Sequence, residues 1–221
     1  MTFFDIHHIF FTVLGYPMSY LEFFGVLFGL VAVALSAKAN IWSWPIGVVN
    51  VVLAFFFYYQ IQLYPDMLLQ VFFGITNLIG WWRWAHPRPE EEDSKKELKV
   101  SHIKFNQLIL IVFIGLAGTF LFGFLASNLH EWLPTLFSSP SSFPYADSFI
   151  LVISIVATFL MIQKKIECWV IWIFVDLVAT VLYFVKGAKF YSIEYLLLTI
   201  LAAFGLWSWV KEMNAYKTNE A

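Results

Sequence analysis

Seven apolar runs dominate the chain, near 21–37, 41–60, 66–85, 105–127, 147–163, 167–186 and 191–211, each about 17–23 residues long. About 20 apolar residues carry a helix across the hydrocarbon of a bilayer, so each run predicts one crossing. The pattern predicts an all-α membrane protein with seven transmembrane helices. Residues 1–18 differ: Phe3, Ile6, Ile9, Phe10 and Val13 are interrupted by Asp5, His7 and His8. This N-terminal segment is too short and polar to cross, and predicts a short interfacial helix ended by Gly15 and Pro17. The link 86–104 holds HPRPEEEDSKKELK and is expected to be a solvated loop. The link 128–146, with Pro134, Pro140 and Pro144, is expected to carry one short interfacial helix around His130–Phe137. A tail of residues 212–221 closes the chain.

Composition agrees with the pattern. Hydrophobic residues make up 61% and charged residues 13%, against about 25% charged in a soluble domain. A net charge of −2 gives no basic surface for nucleic acid. The single cysteine, Cys168, excludes an intramolecular disulfide and a Cys-rich metal site. Residues 1–15 lack the basic start and small-residue cleavage site of a signal peptide. Of the thirteen Lys and Arg, two (Lys186 and Lys189) fall on the side of the membrane that receives the N-terminus, and eleven on the other. The positive-inside rule then places the N-terminus outside and the C-terminus in the cytoplasm.

The halves echo each other. Trp42, Tyr64 and Trp82 each have an identical residue 127 positions later, at Trp169, Tyr191 and Trp209. With two residues lost after the tyrosine the shift becomes 125, and Gly80–Trp84 aligns with Gly205–Trp209 as a shared G-x-W-x-W. Residues 21–85 and 147–211 read as two three-helix repeats. An odd number of crossings inverts the second copy, and a linking helix at 105–127 restores its orientation. The result is a 3+1+3 arrangement with parallel repeats, its site expected between the repeats near the midplane. Gly115, Gly118 and Gly123 suit the linking helix for close packing.

Polar residues inside these spans mark the candidate site, because a carboxylate or lone carboxamide is costly in hydrocarbon. Asp176 lies about ten residues from either end of its span. Trp169, Trp172, Asp176, Thr180 and Tyr183 follow at spacings of 3, 4, 4 and 3, which places them on one helix face. An acid among indoles, a hydroxyl and a phenol suits a cationic aromatic ligand, with cation–π attraction of roughly 0.5–2 kcal/mol; a bond to a neighbouring helix or a proton relay are its alternatives. Gln70 and Asn77 are seven apart, with Gly74 on the same face. Their carboxamides donate and accept, as a ribose or an amide requires, or they act as polar glue between helices. Asn50 reads equally as structural or as a site neighbour, and Tyr195 with Thr199 as a closing face or a plain interfacial pair.

The segments WSWPIGVVN, QLYPDMLLQ and GITNLIGWWRW, with the later W-x-x-x-D at Trp172–Asp176, resemble the PnuC family of bacterial nicotinamide riboside transporters. The resemblance runs from about Leu21 to Met213. It implies a SWEET-like fold, a homo-oligomer (a trimer) in the bacterial inner membrane, and facilitated diffusion of nicotinamide riboside trapped by cytoplasmic phosphorylation. Carried onto this sequence, the family's binding positions fall on Gln70, Asn77, Trp172 and Asp176, and also on Asn50, Trp44, Tyr183 and Tyr195. Family relatives that carry thiamine or riboflavin, and a sugar on the same fold, are the alternative substrates. No H-E-x-x-H, G-x-S-x-G, P-loop or CxxC is present, so neither an enzyme nor a cofactor or metal requirement is expected.

Overall fold

The computed structural model describes residues 3–13, 15–60, 64–93, 96–133, 135, 143–185 and 189–219. Seven long helices follow a short hairpin: α1 (Tyr20–Ala37), α2 (Ser43–Gln60), α3 (Tyr64–Ala85), α4 (Phe105–Trp132), α5 (Pro144–Ile162), α6 (Glu167–Val185) and α7 (Lys189–Asn219). Among the described residues, six of them are long and apolar enough to cross a membrane. The seventh, α3, mixes its apolar residues with Gln70, Asn77, Arg83 and three tryptophans. The helices divide into two compact units, Met1–Lys99 and Val100–Ala221.

The N-terminal segment departs from the expected interfacial helix. Strands β1 (Ile9–Val13) and β2 (Tyr16–Ser19) pair antiparallel instead. Gly15, at φ 84°, supplies the left-handed turn residue between them. Ser19 then caps α1, its hydroxyl accepting from the Glu22 amide at 3.2 Å. Gln60, the last residue of α2, holds the segment from the other side. Its amide donates to the Phe4 carbonyl at 2.6 Å, and its carbonyl accepts from the Ile6 amide at 3.2 Å.

In the first unit α2 packs against both α1 and α3; in the second, α6 packs against both α5 and α7, and α4 lies on α5. Gly115 and Gly118 let Ile153 and Val152 approach α4 to within 2.7–2.8 Å of where a Cβ would stand. The rest of α4 is largely exposed, with Phe113 at 68% and Phe120 at 65%. The helix continues through His130 to Trp132, so the short interfacial helix expected there begins inside α4. Most of its remainder lies outside the described residues, as do the side chains of Tyr64 and Tyr191.

The 86–104 link is more ordered than its charge suggested. Leu98 is buried and its amide donates to the Trp84 carbonyl at 3.1 Å. Arg83 bonds Glu91 at 2.8 Å. Partial desolvation works to raise the Glu91 carboxyl, but hydrogen bonds from Arg83 and the Arg88 amide, with both guanidinium charges, outweigh it and hold the group below its usual value. Residues 101–103 are pinned within the second unit. Ser101 exchanges backbone bonds of 3.1 Å with Lys164 and Ile166, and Glu167 accepts from the Ile103 amide at 3.1 Å.

A single offset of 125 relates the joints of the two units. Ala39 and Lys164, 125 apart, both take positive φ, 50° and 52°. The turn bonds Ala39 to Ser36, Asn40 to Leu35 and Trp44 to Ile41 recur as Lys164 to Met161, Lys165 to Leu160 and Trp169 to Ile166. The pairing of Trp42 with Trp169 at 127 is not followed: Trp42 is 63% exposed and Trp169 is 1% exposed. Trp44 is the counterpart.

Candidate functional site

Each unit closes one helix pair with a tryptophan seated on a glycine. Trp44, opening α2, lies over Gly80 of α3 and meets Trp84 edge-to-face at 5.2 Å and 90°. Trp169, opening α6, lies over Gly205 of α7 and meets Trp209 at 5.4 Å and 89°. A methyl on Gly205 would stand 2.7 Å from the Trp169 ring, so only glycine admits the indole there. Both indole nitrogens are shielded, with no hydrogen-bond partner among the described residues.

In the first unit the carboxamides are engaged. The Asn50 amide donates to the Gly25 carbonyl of α1 at 2.8 Å, over the gap left by Gly29. The Asn77 amide donates to the Phe73 carbonyl at 2.7 Å, shared with the Thr76 hydroxyl at 3.0 Å. Its carbonyl oxygen leans across Gly47 of α2, into space that a side chain there would fill. Gln70 is half-buried, two turns earlier on α3.

In the second unit the predicted face of α6 turns toward α7 at both ends. Trp169 sits over Gly205 at one end, and Tyr183 stacks on Tyr195 of α7 at the other, 5.3 Å apart and 8° from parallel. Between them Asp176 is buried, 3% exposed. Among the described residues no donor reaches its carboxylate. One turn earlier Trp172 is half-buried with its indole nitrogen shielded and unpartnered among the described residues. Thr180 does not face the acid with its hydroxyl: it donates to the Asp176 carbonyl at 2.7 Å. The Thr180 carbonyl in turn accepts from Ser192 of α7 at 2.9 Å. Thr199 likewise donates to the Tyr195 carbonyl at 2.9 Å. No group of three metal-ligating side chains occurs among the described residues.

Sequence reading placed Gly47 on a small-residue face of α2 with Ser43, Asn50 and Ala54 and aligned Gly205 with Gly80, but foresaw neither Asn77 at Gly47 nor Trp169 at Gly205, and it passed over Ser192. The constant offset would have found Gly205 as the seat of Trp169 once Gly80 is paired with Trp44. Ser192 carries no such signal.

A buried acid beside an unsatisfied indole, on a helix long enough to span a membrane, is an arrangement suited to ligand passage. The family model for nicotinamide mononucleotide transporters matches residues 19–211. The chain belongs to this family. It is a multi-pass membrane transporter, not an enzyme. The chain is 33% identical over 213 residues to a nicotinamide riboside transporter PnuC of Escherichia coli, covering 89% of this chain and 87% of the relative. It is 25% identical over 186 residues to a riboflavin/roseoflavin transporter RibM of Streptomyces davaonensis, covering 84% and 82%. A crystal structure of a vitamin B3 transporter PnuC shares the family's fold, with a TM-score of 0.66 and 24% identity over 89% of this chain and 83% of that one.

Proposed function

We propose that this family member carries nicotinamide riboside across the bacterial inner membrane by facilitated diffusion, with the riboside retained by phosphorylation in the cytoplasm. The observation that carries the reading is Asp176, buried on α6 one turn from the shielded Trp172 indole. The riboside's pyridinium is a positive aromatic ring. A carboxylate offers it opposite charge, and an indole offers stacking with cation–π attraction of about 0.5–2 kcal/mol. Gln70 and Asn77 supply carboxamides for the ribose or the ligand's own amide. The same chemistry disfavours the mononucleotide, whose phosphate adds nearly two negative charges. Every Lys and Arg lies in a link or near a helix end, leaving the middle of the spans without a cation to meet that phosphate.

The accompanying architecture is a 3+1+3, SWEET-like arrangement of parallel repeats, joined by α4 and assembled as a homotrimer, with the N-terminus outside. The constant offset of 125 between the helix joints supports the repeat. The exposed length of α4 leaves a face for lipid or for neighbouring copies.

The test is titration of the purified protein with the riboside, its mononucleotide, riboflavin and thiamine, followed by tryptophan fluorescence. Saturable quenching by the riboside alone supports the proposal, and Asp176→Asn should then weaken it at least tenfold, about 1.4 kcal/mol. Unchanged affinity in that variant would remove the charge-pairing role. A response to riboflavin alone would favour the second reading, which the RibM relative supports. Uptake that persists without a proton gradient but stops when the riboside kinase is absent would separate facilitated diffusion with trapping from proton coupling through Asp176.

A further inference from the structure

We infer that the N-terminal hairpin is a membrane anchor, seating Phe10, Phe11 and Ile9 in the lipid headgroup boundary at the end of α1. This rests on α1 crossing the membrane and not on the substrate. Three observations converge on it.

The first is backbone chemistry. A two-stranded hairpin leaves the outer edges of both strands without ladder partners. In hydrocarbon each unpaired amide or carbonyl costs several kcal/mol, so β1 and β2 cannot sink into the bilayer core. The second is side-chain chemistry. Phe3, Phe4, Ile9, Phe10, Phe11 and Tyr16 stand 37–43% exposed, too much apolar surface to favour open water. Amphipathic elements with an apolar face and polar backbone settle at the headgroup boundary, roughly 5–10 Å deep.

The third is position. Ser19 ends β2 and caps α1, so the hairpin begins where that helix does. His8 stacks on Tyr20 at 5.0 Å and 14°, and Phe4 meets Phe56 of α2 edge-on at 5.2 Å. Gln60 bonds Phe4 and Ile6 from the end of α2. The aromatic surface is therefore fixed beside two helix ends that leave the hydrocarbon. The first Lys or Arg in the chain is Lys38. Attachment thus rests on aromatic partition rather than on pairing with lipid phosphate, and zwitterionic lipid suffices.

The experiment places one nitroxide on full-length protein in phosphatidylcholine nanodiscs. Cys168→Ala removes the only native thiol. Phe11→Cys reports on the hairpin, Leu116→Cys on the exposed middle of α4, and Lys96→Cys on the exposed charged link. Collision rates with oxygen, which favours lipid, and with a nickel chelate, which favours water, are compared. The hairpin's oxygen-to-nickel ratio should exceed that of Lys96→Cys several-fold and fall below that of Leu116→Cys. A ratio equal to that of the link would overturn the anchor. Protection from both reagents, reversed on dilution to monomer, would overturn it in favour of a second copy covering the hairpin. Ile9→Cys repeats the measurement if Phe11→Cys does not fold.

Discussion

In the α2–α3 pair the indole of Trp44 fills the seat over Gly80; in the α6–α7 pair Trp169 fills the seat over Gly205. Both indoles meet a second tryptophan at a near-perpendicular angle, 90° and 89°. The middles of the pairs differ. Gly47 and Asn77, which touch in the first unit, correspond at the 125 offset to Trp172 and Ala202 in the second. Buried Val51 corresponds to buried Asp176. The joints fix helix spacing, which any membrane-spanning unit needs, so equal residues serve both. In the function we propose the middles meet the ligand, and a riboside has unlike ends: a charged ring and a neutral sugar. One unit offers carboxamides, the other an acid and an indole, and on that proposal the divergence matches the ligand's asymmetry.

The comparison breaks most sharply at the seats. Trp44→Ala and Trp169→Ala should each destabilise by about 3 kcal/mol, the scale for emptying a buried indole. Thermal unfolding in detergent should show losses of similar size for both. A large loss for one and none for the other would mean that the joints are not equivalent. Gly80→Ala and Gly205→Ala should cost about 1–3 kcal/mol by overpacking.

The next effect should be confined to ligand binding. Asp176→Asn should lower riboside affinity about tenfold, whereas Val51→Ala should leave it within twofold while lowering the melting temperature. Equal effects of the two on affinity would erase the distinction between the middles. Asn50→Ala should cost about 0.6 kcal/mol, the average for one bond between membrane helices, read as a small fall in melting temperature with riboside affinity intact. Ala39→Gly should gain about 0.5 kcal/mol by relieving its positive φ. Lys164→Gly should not, because Lys164 is fully buried and its side chain would be lost as well.

The smallest effect lies in the charged link. The Glu91 carboxyl is depressed in the folded chain. Its contribution is therefore present above the ordinary carboxylate pKa and lost as pH falls through the lower folded value. Glu91→Gln should remove about 0.5 kcal/mol at neutral pH and flatten that acid-side decline in a pH series of melting curves.

The helices were legible because hydrocarbon demands long apolar runs, and such runs cannot be hidden. All seven begin and end within a few residues of expectation, save the extensions of α4 to Trp132 and of α7 to Asn219. The N-terminal hairpin was not legible. Phe10 and Phe11 adjoin, which breaks the alternation that marks a strand, and the pairing goes with Gly15 in the turn and contacts of both strands with α1. At the site, sequence spacing found the α6 face but not what it meets. A tryptophan over a glycine and a tryptophan stacked on a ligand look alike in sequence, since the deciding residue, Gly205 for Trp169, lies on another helix. Thr180 shows the same limit: its place on the face was readable, but its bond to the Asp176 carbonyl depends on rotamer.

Each middle helix, α2 or α6, packs against its immediate neighbours in the chain, and the backbones of α1 and α3 do not approach each other closely among the described residues. A helix emerging from the ribosome therefore finds its partner already in the membrane. Within each unit, no helix must hold a surface open for a distant segment of that unit. Topologies built from such local contacts close quickly and give misassembly little time. The first unit should therefore pack without the second, so a released fragment of residues 1–99 in a bilayer should already resist protease between α1 and α3.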